Sequence, residues 1–290
     1  MPNLIELGKT YIPLLDEVYK LGALSSVLDA NENLVKIAQN GKDLLVAKMA
    51  LQGLADTSRG GDYVDGDVTF EWETKTPSWD RNRMFKVDAV DDIETAGLSF
   101  GMLSSEFIRT KVVPELDAVR FATYAGTAGI LGTAGALADT TAFLDALLVA
   151  INAQDEAEVP TEGRILFATP TLINGLLRLD TTKSKEVLSR FSQVVKVPQT
   201  RFYSAITLKD GKSLGDEDGG YIKDAVAGKD INFLIVHKSA IIQTLKHVAP
   251  KIIPAEINQT GDNHKFGYRA YGIAETFDNK LSGIYCHTKA

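Results

Sequence analysis

Cysteine is nearly missing from this chain: Cys286 is the one copy among 290 residues. A disulfide framework is therefore excluded, and the composition suits a reducing compartment. Histidine is scarce too, with four copies, and His237, His247, His264 and His287 show neither the close helical spacing nor the finger spacing of zinc ligands. Without cysteine support, no recognisable zinc site remains. No apolar run approaches the roughly 20 residues that a membrane-spanning helix needs. The start, Met1-Pro2-Asn3-Leu4-Ile5-Glu6-Leu7, lacks the basic and apolar regions of a signal peptide, so export is not expected. Positive charge is in deficit, with 31 Lys and Arg against 38 Asp and Glu for a net charge of −7. Binding that draws its strength from neutralising phosphates needs the opposite balance or a dense basic patch. The sequence has neither.

Catalytic signatures are missing as well. Gly126, Gly129, Gly132 and Gly135 recur every three residues, but this is neither GxGxxG nor a P-loop, and no Lys-Ser or Lys-Thr follows to reach a phosphate. Gly211-Lys212-Ser213 copies the end of a P-loop, yet Ile206 stands where its first glycine belongs. The glycine series reads instead as a flexible passage between two lobes. Gly215-Asp216-Glu217-Asp218-Gly219-Gly220 is acidic but lacks the ligand positions and closing Glu of an EF-hand loop, so it reads as a solvated loop. There is no GxSxG elbow and no kinase or protease set. Cys286 reads as a half-buried strand residue, because only His287 stands near enough in sequence to activate a thiolate. No catalytic residue, metal or cofactor is assigned, and an enzyme reading would need catalytic groups scattered beyond motif recognition.

What is present is a folded α+β chain. Hydrophobic residues make up 44%, which is the range of globular proteins and fits one compact domain or two small ones. Leu4 to Leu28 has helix-compatible apolar spacing that Pro13 interrupts, so a partly extended arm with one short helix is expected. Lys42 to Ala50 reads as a strand or a short helix. Val68, Phe70 and Trp72 then alternate with Thr69, Glu71 and Glu73, as on a half-buried strand. After a turn over Thr76 to Asp80, Met84 to Val90 returns with Phe85, Val87 and Ala89 on one face, which predicts a two-stranded ribbon. Such a ribbon is marginal alone, so its aromatic face needs either this chain's own core or another copy of it. Asp91, Asp92 and Glu94 start a long helix through Ile93, Phe100, Leu103, Phe107 and Thr110, kinked at Pro114 and restarted by Glu115-Leu116-Asp117. Asp139 caps a helix carrying Phe143, Leu144, Leu147, Leu148 and Ile151. Strands are predicted over Arg164 to Ala168, Val194 to Val197, Phe202 to Ile206 and Ile231 to Val236, with helices from Pro170 and over Ser239 to His247. The chain ends on Lys265 to Ala274, a polar turn, and Ile284 to His287, β-rich enough to be pinned inside a sheet.

Three blocks carry a family resemblance. The first is Gly66-Asp67-Val68-Thr69-Phe70-Glu71-Trp72-Glu73-Thr74 with Asp80-Arg81-Asn82-Arg83, Phe85-Lys86-Val87-Asp88 and Glu94-Thr95-Ala96-Gly97. The second is Glu106-Phe107-Ile108-Arg109-Thr110-Lys111-Val112-Val113-Pro114-Glu115-Leu116-Asp117-Ala118, and the third is Asn258-Gln259 followed by Lys265-Phe266-Gly267-Tyr268-Arg269-Ala270-Tyr271 and Asp278-Asn279-Lys280-Leu281-Ser282-Gly283-Ile284-Tyr285-Cys286-His287. In this order they resemble the major capsid proteins of tailed bacteriophages with the Hong Kong 97-type fold. The resemblance implies an N-terminal arm over 1–41 and an extended loop over 51–90. It also implies a discontinuous peripheral domain over 42–50, 91–133 and 251–290, with a spine helix about 92–124, and an axial domain over 134–250.

It further implies an icosahedral shell of hexamers and pentamers around packaged double-stranded DNA. Such a shell needs no sequence-specific grip on nucleic acid, in keeping with the negative charge, and would be assembled in the host cytoplasm and found in the virion. An encapsulin-like compartment is the alternative. Val68, Phe70, Trp72, Trp79, Arg81, Arg83 and Phe85 are then expected at contacts between copies, the arginines facing carboxylates across the junction. Some capsids of this fold join a lysine of the loop to an asparagine of a neighbour, for which Lys75 with Asn258 or Asn263 are the candidates. About sixty residues precede the ribbon, too few for a fused scaffolding domain besides the arm. A separate scaffolding protein and a portal are therefore expected as partners, with Met1 to Gly41 retained or only lightly trimmed.

Overall fold

The computed structural model describes residues 22–29, 36–37, 44–56, 64–75, 79–94, 103, 105–179 and 182–290. Most of the arm expected over 1–41, and the stretch 95–102 of the expected long helix, lie outside them. Within the arm, Leu24–Leu28 forms a short 3₁₀ turn.

Strands β1 (Lys36–Ile37), β2 (Leu44–Leu51) and β3 (Val68–Lys75) make one narrow antiparallel ribbon, with β2 and β3 in register from Leu44↔Lys75 to Leu51↔Val68. Here the structure corrects the sequence: β3 pairs with β2, not with the strand after it. That strand, β4 (Trp79–Asp88), joins a separate three-stranded sheet beside β11 (Ile241–Ile253) and β12 (Asn263–Thr276), in the order β11-β12-β4. The physical reason is the face of β4. Trp79 and Val87 are buried, and only pairing with β12, from Asn263↔Asp88 to Gly272↔Trp79, carries that face onto a helix.

The helix in question runs from Ser105 to Gly126, with a wide π turn over Ile108–Val112 and regular α geometry over Val113–Gly126. Pro114 has no N–H to continue the ordinary ladder. The turn before it widens instead, and Val113 N reaches back five residues to Ile108 O, so the expected kink is taken up as a π turn within a continuous helix.

The largest sheet is a mixed five-stranded one, in the order β5 (Leu131–Ala134), β13 (Ile284–Thr288), β10 (Ile231–His237), β6 (Arg164–Ala168), β7 (Gln193–Lys196). Its inner strands β6 and β10 read as nearly continuous apolar runs because both faces are covered. Ile165, Phe167, Leu234, Val236, Ile284 and Cys286 pack with Phe121 and Tyr124 of the Ser105–Gly126 helix. Leu166, Phe233, Ile235 and Tyr285 pack with Phe143, Leu147 and Ile151 of the helix Thr140–Glu156 and with Ile173 and Leu176 of the helix Pro170–Leu179. The cap at Asp139 forms as read, its Oδ1 accepting from Ala142 N at 2.7 Å. Short helices over Ala89–Glu94 and Thr182–Ser189, 3₁₀ turns over Ala255–Ile257 and Asp278–Gly283, and a small hairpin of β8 (Ile206–Leu208) and β9 (Tyr221–Lys223) are further elements of the described residues.

Three further readings are corrected. The glycine series is no flexible passage: β5 pairs parallel with β13, and a Cβ on Gly132 would lie 2.6 Å from Cys286 O, so glycine is what permits the approach. Ser239 to His247 is not a helix. A 3₁₀ turn over Lys238–Ala240 leads into β11, whose Ile241, Ile242, Thr244 and Val248 are β-branched and pair with β12. Phe202 ends a 3₁₀ turn over Gln199–Arg201, and the strand begins later, at Ile206. The C-terminal strand is pinned inside a sheet as read, between β5 and β10.

Candidate assembly surface

Strand β3 keeps its alternating pattern but not its shelter. Val68 is 65% and Phe70 55% exposed, and Thr69 and Glu71 on the other face are exposed as well. Leu51, Leu54 and Val64 extend the apolar surface around the far end of the ribbon. That end is tied by Gln52 and Asp67: Asp67 N donates to Gln52 Oε1 at 3.1 Å, just past the Leu51↔Val68 pair. The backbones of Trp72 and Lys75 belong to β3, while their side chains lie outside the described ones.

The other expected contact residues turn inward, because they share the helix-facing side of β4. Trp79 is 4% exposed, packs with Leu116, Val119 and Ala270, and its Nε1 donates to Glu115 Oε1 at 3.4 Å. Arg81 donates through Nε to the same oxygen at 2.8 Å and through Nη2 to Lys209 O at 2.7 Å. Arg83 donates to Glu217 O at 3.0 Å and Gly211 O at 3.4 Å. Phe85 lies edge-on to Phe107, with ring centroids 4.8 Å apart. The carboxylate met by Arg81 is therefore one of its own chain, and Arg83 meets main-chain carbonyls where a carboxylate was expected. Together they strap the loop 209–220 over a groove of about 610 Å³ walled by Tyr221 and Tyr268. Gly211, at φ +72°, sits where a Cβ would come within 2.6 Å of the Arg83 guanidinium.

Asn258 and Asn263 close the turn between β11 and β12. The Asn258 amide donates to Asn263 Oδ1 and Gly261 O, each at 2.8 Å, and its oxygen accepts from Lys265 Nζ at 2.6 Å. On the outer face of the same sheet, Arg269 grips Asp80 through two bonds of 2.9 and 2.6 Å, which holds that carboxyl below its ordinary value.

Sequence reasoning missed a buried polar cluster on the Ser105–Gly126 helix. Asp117 is fully buried. It accepts from Leu24 N and Ser25 N at 3.1 Å each, from Ser25 Oγ at 2.7 Å and from Arg201 Nη1 at 2.9 Å. Arg120, also buried, donates to Ser25 Oγ at 2.9 Å and faces Asp29 at 3.4 Å. Gln243 donates to Ser25 O at 2.8 Å and Asp29 Oδ1 at 2.6 Å, and accepts from Tyr124 OH at 2.7 Å. Burial pushes the Arg120 value down and the Tyr124 value up. The signal was present: Asp117 and Arg120 interrupt the apolar run Leu116-Asp117-Ala118-Val119-Arg120-Phe121, and charges on such a face need partners.

Among the described residues, no group of three or more His, Cys, Asp or Glu is arranged to hold a metal ion, and no helix is long and apolar enough to cross a membrane. Cys286 is buried, which pushes its thiol up to about 12, and a thiol at that value is a poor nucleophile.

No protein-family model matches the sequence, and no curated protein matches it. Solved structures match over nearly the whole chain. The capsid structure of the cyanophage P-SCSP1u does so with a TM-score of 0.65 and 12% identity, over 97% of this chain and 92% of that one. The capsid of the Myoviridae phage XM1 matches with a TM-score of 0.60 and 10% identity, over 100% of both chains. A virus-like particle from Pyrococcus furiosus matches with a TM-score of 0.51 and 11% identity, over 91% of this chain and 96% of that one. At such identities the likeness is one of fold: this chain has the mixed α+β fold of the phage capsid structures.

Proposed function

We propose that this protein is the repeating subunit of an icosahedral phage head, self-assembling into hexamers and pentamers that enclose double-stranded DNA. The observation that carries the reading is the likeness to phage capsid structures along the full length of the chain. The exposed apolar area of Val68 and Phe70 on β3 supports it physically. Area of this kind on a narrow ribbon is what a contact between copies would bury, and here the extended loop is β2 with β3. In the same reading the Ser105–Gly126 helix belongs to the spine, the β11-β12-β4 sheet to the peripheral domain, and the five-stranded sheet with its helices to the axial domain. The axial unit then takes in β5 and β13, which the sequence reading assigned to the peripheral one.

The mechanism is geometric. Copies in slightly different positions flex at the ribbon while their sheets stay rigid, and symmetry closes the shell. The net charge of −7 suits a wall that contains DNA without gripping it. A separate scaffolding protein and a portal complete the partners, with assembly in the host cytoplasm and residence in the virion. Noncovalent contacts are taken to hold the shell together, and the Asn258 oxygen is engaged by Lys265 in its own turn.

Sedimentation and electron microscopy of the expressed chain test the reading. Closed shells or capsomers are expected, and a folded chain that stays a small oligomer at every concentration overturns it. The match to a virus-like particle favours the second reading, an encapsulin-like compartment. Nuclease-protected DNA in native particles supports the head, and protein cargo without DNA supports the compartment.

A further inference from the structure

We infer that the buried polar cluster around Asp117 is a peptide socket whose ligand is Ala23–Asp29 of the same chain, held there as the inner root of the exposed ribbon. The bonding pattern is that of recognition. One carboxylate takes two successive main-chain N–H groups and a hydroxyl from Leu24 and Ser25, while Gln243 reads Ser25 O and Asp29 Oδ1 from the other side. An apolar anchor accompanies the polar one: Leu28 is fully buried in the cluster that holds Phe121, Tyr124 and Phe202.

Charge decides which state the socket prefers. Asp117 and Asp29 balance Arg120 and Arg201 when the segment is seated. With the segment withdrawn, Arg120 loses both Ser25 Oγ and Asp29, and Asp117 loses three of its donors. Removing partners from charges of this kind is costly, so the occupied socket is favoured.

The position of the segment gives the socket its use, and this step rests on the assembly reading above. Strand β1 begins at Lys36, seven residues past Asp29. Seven residues span at most about 25 Å, so the ribbon cannot travel further than that from the socket. At its other end the ribbon leads into Trp79, which is paired with Gly272 of β12. The ribbon is thus rooted in the body of the subunit at both ends.

Hydrogen exchange read by mass spectrometry on the full-length chain, kept unassembled, tests the socket separately from the shell. The Leu24 and Ser25 amides should be protected in the unmodified chain. In Asp117→Asn they should exchange about 10- to 100-fold faster, the span expected for losing hydrogen bonds to a charged group, while β6 and β10 are unchanged. Should Asp117→Asn fail to fold, Ser25→Ala removes only the hydroxyl, and faster exchange of the same amides is again expected. Unchanged exchange over 24–29 in the variant that folds overturns the socket. So does protection that arises only on assembly, which would place the segment's shelter on another copy.

Discussion

The double substitution Val68→Ser with Phe70→Ser isolates the surface on which assembly is proposed to depend. Phe70 is 55% exposed. Of the roughly 200 Å² that a phenylalanine can bury, about 110 Å² is left over, worth about 2.7 kcal/mol at ~25 cal/mol/Å². Val68, at 65% exposed, adds about 1–2 kcal/mol on the same scale. A neighbour covers such a row incompletely and serine keeps part of the area, so about half of the sum, roughly 2 kcal/mol, is the expected loss per contact. That is about 30-fold in the association constant of each contact. Because the contact recurs at every subunit, the concentration at which shells first appear should rise at least that far. Light scattering and sedimentation over a concentration series read the threshold. Thermal unfolding of the unassembled chain supplies the control and should shift by less than about 0.5 kcal/mol, as for ordinary surface changes. An unmoved threshold, or a fall in subunit stability like that of a core deletion, refutes the reasoning.

Trp79→Ala should do the opposite, costing about 3–5 kcal/mol of subunit stability, because the ring is enclosed by Leu116, Val119 and Ala270 of its own chain; denaturant unfolding of the unassembled protein measures it. Gly132→Ala should cost about 1–3 kcal/mol by driving a Cβ against Cys286 O and parting β5 from β13, and a wild-type melting temperature would contradict that. His287 is held below the ordinary imidazole value by burial. Its Nδ1 faces Asn232 Nδ2 at 3.0 Å, and that amide also donates to Gly135 O, so Nδ1 accepts and has no room for a proton. Below about pH 6.5 the unfolded chain takes up a proton that the folded chain resists. The stability due to this group is therefore complete above that pH and falls as the pH drops toward the lower folded value. His287→Gln should flatten melting temperature against pH between about 5 and 7, and an unaltered slope would count against it.

The elements most legible in the sequence were those whose pattern has one solution. Ile231 to Val236 and Arg164 to Ala168 are apolar on both faces and fit only the interior of a sheet. Asp139 with the row from Phe143 to Ile151 fits only a capped helix. The choice of partner was illegible. Phe70 and Phe85 lie on strands of the same alternating kind, and nothing local says that one strand pairs with β2 and the other with β12. The intrachain partners of Arg83 were illegible for a related reason, since they are the main-chain carbonyls of Gly211 and Glu217, which carry no sequence signature. The run from Ser239 to His247 was misread because its apolar spacing fits either period, and the β-branched residues Ile241, Ile242 and Thr244 that favour a strand were given too little weight.

Phe70 and Phe85 also show how one chain can be both rigid and compliant. Phe85 belongs to a strand closed by β12 and by the Ser105–Gly126 helix, so its neighbourhood is fixed when the subunit folds. Phe70 belongs to a narrow ribbon and stays 55% exposed, and a narrow ribbon is only marginally stable in water. Its geometry is set by its two roots, at Ala23–Asp29 and at Trp79, and by whatever covers Val68 and Phe70. A contact worth about 2 kcal/mol is too weak to hold two subunits together by itself. In the assembly proposed above, the same contact repeated around a ring of copies would become multivalent. Weakness in the single contact then lets misplaced copies leave before the ring closes, and closure supplies the strength that the isolated ribbon lacks.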